Sequence, residues 1–86
     1  MTANASAKGW SAQLTRTIVL KDGTTLATLA DVRTFILNEP DHIQERGSWQ
    51  HAAELTILAA ERGGSIEAAT IQIENALFLE ARYVRR

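Results

Sequence analysis

His51 and Glu54 stand three residues apart in a stretch of helical periodicity, a spacing at which one helix face can present two ligands to a metal ion. The other histidine, His42, lies upstream between Asp41 and Glu45 in a polar stretch. A transition-metal site needs three or four donors held together, and zinc sites draw mostly on Cys and His. The chain has no cysteine, so disulfides, zinc–thiolate sites and thiol catalysis are excluded. His42, His51 and Glu54 could meet only if the polar stretch folded back over the helix start. Two partly exposed histidines near a helix start is the plainer reading, and a donor set this sparse favours it. The expectation is no metal and no cofactor.

Acid–base chemistry needs a carboxylate or histidine in a pocket that shifts its pKa. Glu54, Glu61, Glu67, Glu74 and Glu80 are instead spread over helical faces, where such charges are usually solvated. Glu74 and Glu80 are the less ordinary ones, because the stretch around them has little polar face. Gly63-Gly64 is not followed by Lys-Ser/Thr, so no phosphate loop is present, and no nucleophile elbow occurs. No catalytic residue is expected, and the chain reads as a non-enzyme.

Cations for nucleic acid would come from Arg82, Arg85 and Arg86, with Arg16 and Lys21. The net charge is −1, which gives no overall field toward phosphate or anionic lipid. A glycine-containing turn between two helices makes a helix-turn-helix conceivable. Its recognition helix would begin Ile66-Glu67-Ala68-Ala69-Thr70, an acidic and apolar start that suits phosphates and base edges poorly. A small DNA-binding regulator is therefore the alternative reading.

The elements that must position these residues are legible from punctuation and period. The chain has 86 residues, which bounds it to one domain, with 45% hydrophobic and 6% aromatic content. Ala, Leu and Ile must then fill the core, and small residues let helices approach closely. Residues 1–14 show no apolar period and read as a mobile N-terminal tail, with residues 15–86 as the domain. Met1–Ala7 lacks an apolar core of the kind a secretory signal needs, and no apolar run is long enough to span a bilayer. A cytoplasmic location is the expectation.

Thr15–Leu20 and Thr24–Thr28 read as strands around Asp22-Gly23. A two-residue loop would pair Leu20 with Thr25. A three-residue loop with Gly23 in the left-handed position pairs Ile18 with Leu26 and gathers Ile18, Leu20 and Leu26 on one face, so that register is preferred. Thr28 and Asp31 suggest a capping box for a helix over Leu29–Asn38, with Leu29, Val32, Phe35 and Ile36 on one side and Pro40 as its stop. Ser48 is read as the cap of a second helix, Trp49–Arg62, with rows Ala52/Leu55/Ala59 and Ala53/Ile57/Ala60, ended by Gly63-Gly64. Ser65 caps a third helix, Ile66–Val84, whose main stripe is Ile66, Ala69, Ile73, Ala76 and Leu77. The fold class is α+β: a two-stranded antiparallel β-hairpin followed by three α-helices.

From Ile18 onward the order of features resembles a family of short rhizobial and alphaproteobacterial proteins that form a domain of unknown function. The resemblance rests on the hairpin, Leu29-Ala30-Asp31-Val32-Arg33-Thr34-Phe35-Ile36-Leu37, Trp49-Gln50-His51-Ala52-Ala53-Glu54-Leu55, Glu67-Ala68-Ala69 and Leu79-Glu80-Ala81. Glu39 stands where such proteins tend to carry an aromatic, and Thr70 where they tend to carry an arginine. The resemblance implies the same fold and carries over no catalytic residue.

Ile71, Phe78 and Leu79 fall off the main stripe of the third helix, which is apolar on more sides than its neighbours can cover. An isolated two-stranded hairpin also leaves edges that need cover. A homodimer through Ile71, Phe78 and Leu79, with Trp10 as a further candidate contact, is the expected interface. Cover of that side by the hairpin or by the Trp10 tail is the intramolecular alternative. The functional expectation is a small interaction module, homo-oligomeric or an adaptor to another protein.

Overall fold

The chain reverses at Lys21-Asp22-Gly23, and the hairpin so made founds the fold in this computed structural model, which describes residues 9–83. Strand β1 (Gln13–Val19) pairs antiparallel with β2 (Thr25–Thr28), with Ile18 opposite Leu26. Gly23 takes φ +91°, and its N–H donates to the Leu20 carbonyl at 3.0 Å, while Leu20 N–H donates to the Thr24 carbonyl at 2.8 Å. This is the three-residue turn with a left-handed glycine, and it buries Ile18, Leu20 and Leu26 on one face as that register requires. The Asp22 carboxylate accepts the Thr24 N–H at 2.9 Å, which holds its carboxyl below the usual carboxylate range.

Upstream, β1 carries extra residues between Gln13 and Ile18, so the ladder bulges. The strand begins at Gln13, ahead of the expected Thr15, and Leu14 is buried in the core. The bulge breaks the alternation that would have shown this strand start. Of the tail expected over residues 1–14, residues 1–8 lie outside the described residues; Gly9 and Trp10 are helical, Trp10 and Ala12 pack against the core, and Gln13 and Leu14 belong to β1.

Helix α1 (Leu29–Leu37) opens on the capping box: Thr28 accepts from Asp31 N–H, and the Asp31 carboxylate accepts from Thr28 N–H. Leu29, Val32 and Ile36 are its buried face. After Pro40 the chain makes a single-turn helix, α2 (Asp41–Gln44), so four helices rather than three follow the hairpin among the described residues. Helix α3 (Gly47–Glu61) starts ahead of the expected Trp49, with Arg46 at the N-cap and no side-chain cap. Ser48 sits inside that helix, where its carbonyl accepts from Gln72 Nε2 at 3.1 Å.

Helix α4 (Ile66–Leu79) is capped by Ser65, whose hydroxyl accepts the Ala68 N–H at 3.0 Å. It stops well short of Val84, which lies outside the described residues. Ala81 takes φ +60°, its N–H donates to the Phe78 carbonyl, and Arg82 N–H donates to the Leu77 carbonyl. That pair of bonds is a Schellman ending, built here on alanine where glycine is usual.

Trp49 is fully buried, and its ring lies 6.0 Å from Phe35 at 23°. The core face of α3 runs through Trp49, Ala52, Thr56 and Ala59. The expected row Ala53/Ile57/Ala60 is overturned at Ile57, which is exposed while Thr56 is buried. A threonine can take a core position when its hydroxyl is satisfied locally, and Thr56 Oγ1 donates to the Ala52 carbonyl at 2.7 Å. Thr70 does the same on α4 toward Ile66 and also accepts the Thr15 N–H, which joins α4 to β1.

Candidate interaction surfaces

Helix α4 divides into faces of different chemistry. Ala69, Ile73, Ala76 and Leu77 point into the core. On the opposite stripe Ile71, Phe78 and Leu79 are 46%, 51% and 63% exposed. Positions seven and eight apart share a helix side, so these three form one apolar strip at the surface.

Trp10 does not join that strip. Its indole N–H donates to Glu61 at 3.1 Å, and the Arg33 guanidinium lies 5.5 Å from its ring centre. With Arg33, Ile36, Leu37, Ala53 and Ile57 it borders a half-open groove of about 140 Å³ between α1 and α3. The sequence reading missed this second apolar surface. Its signal was Thr56 competing with Ile57 for the core, which frees Ile57 for solvent.

Between α4 and the hairpin lies a polar cluster. Glu74 is buried, and both its carboxylate oxygens accept from Arg16, through Nε at 2.8 Å and through Nη2. Tyr83 Oη donates to the same carboxylate at 3.0 Å, and Glu67 approaches Arg16 at 3.6 Å. The hydrogen bond to Glu74 raises the guanidinium pKa further, so Arg16 carries its charge at any pH the fold survives. Glu80 holds Arg46 at 2.9 Å, and Glu39 holds Arg82 at 2.6 Å. Arg16 and Arg82, two cations considered for nucleic acid, thus each face a carboxylate; Arg85 and Arg86 lie outside the described residues. Glu74 and Glu80, unusual in sequence for their apolar surroundings, are these partners.

His51 and Glu54 approach at 3.7 Å on the exposed side of α3. His42 is exposed on α2, and among the described residues no three of His, Asp and Glu gather as a metal would require. No helix of the described residues is long and apolar enough to cross a membrane. No family model, curated protein or solved structure matches the chain.

Proposed function

We propose that the protein is a small non-enzymatic interaction module of the cytoplasm that works as a homodimer, or as an adaptor, through the outer stripe of α4. The observation that carries this reading is the exposure of Ile71, Phe78 and Leu79 on one helix side, opposite a face already filled. Water contact of three large apolar side chains on one strip is unfavourable by roughly 25 cal/mol per Å² of apolar surface, and pairing with a second copy removes it. A two-fold contact of α4 against its copy is self-complementary and closes on itself. Arginines that face Glu74, Glu39 and Glu80 favour a protein partner over DNA, because their charge is already met within the domain. Kinship with the alphaproteobacterial domain of unknown function that the motif order resembles belongs to the same proposal.

Light scattering at micromolar concentration tests it. The wild-type chain is expected at twice the monomer mass. Phe78→Glu places a charge on the stripe without touching the core face and is expected to give the monomer mass with helical content retained. A wild type that stays monomeric at high concentration overturns the dimer.

A further inference from the structure

We draw no further inference here: the strongest candidate, the half-open apolar groove between α1 and α3 bordered by Trp10, Arg33, Leu37 and Ile57, carries none, because nothing in the structure shows what covers it and the charge of Arg33 is offset by Glu61 beside the same Trp10 ring.

Discussion

Ala81 occupies a left-handed backbone position at the end of α4, with φ +60°. For a residue with a Cβ that conformation costs roughly 1–2 kcal/mol, while glycine adopts it freely. The larger unfolded-state entropy of glycine offsets part of the gain. Ala81→Gly should therefore stabilise the domain by about 0.5–1 kcal/mol, a rise in Tm of roughly 2–8 °C on thermal unfolding. A lower Tm would mean that Ala81 contributes a packing contact that outweighs its strain. Glu74 makes the complementary case of a residue whose cost is met by its surroundings. A buried carboxylate is tolerated where a cation pairs with it and hydrogen bonds saturate its oxygens; here Arg16 supplies the charge and the neutral Tyr83 hydroxyl a further donor.

At the scale of elements the hairpin depends on Gly23, and the dependence is purely conformational. A Cβ built there meets nothing within 4 Å, yet φ is +91°. Gly23→Val should destabilise by roughly 1–2 kcal/mol because a β-branched residue is strained at positive φ. Gly23→Asn should lose clearly less, since Asn tolerates that region. Denaturant midpoints of the two variants measure the difference, and equal losses would point to a side-chain clash instead. The helices show which local signals suffice. Thr28–Asp31 and Ser65 start α1 and α4 as read, because side-chain caps act over three residues and need no tertiary partner. Helix α3 escapes the same logic: Ser48 is a good cap by type, but Pro40 and α2 deliver the chain so that Arg46 becomes the N-cap.

Across the molecule, residues 80–83 act as a clamp. Glu80 reaches Arg46 between α2 and α3, Arg82 reaches Glu39 after α1, and the Arg82 carbonyl accepts Lys21 N–H from the hairpin at 3.1 Å. The Arg82 guanidinium also lies 5.0 Å from the Phe35 ring centre. Arg82→Ala should destabilise by about 1–2 kcal/mol, between the values for exposed and buried ion pairs, with the ring contact adding part of it. Urea unfolding at low and high salt separates the contributions: the ion-pair share should shrink with salt, and the stacking share should remain. No loss in Arg82→Ala would show that this clamp contributes little to stability.

Local rules in the sequence determined the hairpin register, two of the helix starts and the inner face of α4. Each depends on residues within a few positions of one another: a glycine at positive φ, a cap three residues ahead, a period of 3.6. The same periodicity set Ile71, Phe78 and Leu79 apart from the core stripe, and they are exposed. Tertiary structure decided what depends on residues far apart. The burial of Glu74 rests on Arg16, 58 positions away, and the place of Trp10 rests on Glu61, 51 positions away. Whether Thr56 or Ile57 faced inward could not come from hydrophobicity, which favours Ile57. Close approach at a small-residue face, with the threonine hydroxyl satisfied inside its own helix, reversed that order and left the apolar groove at the surface.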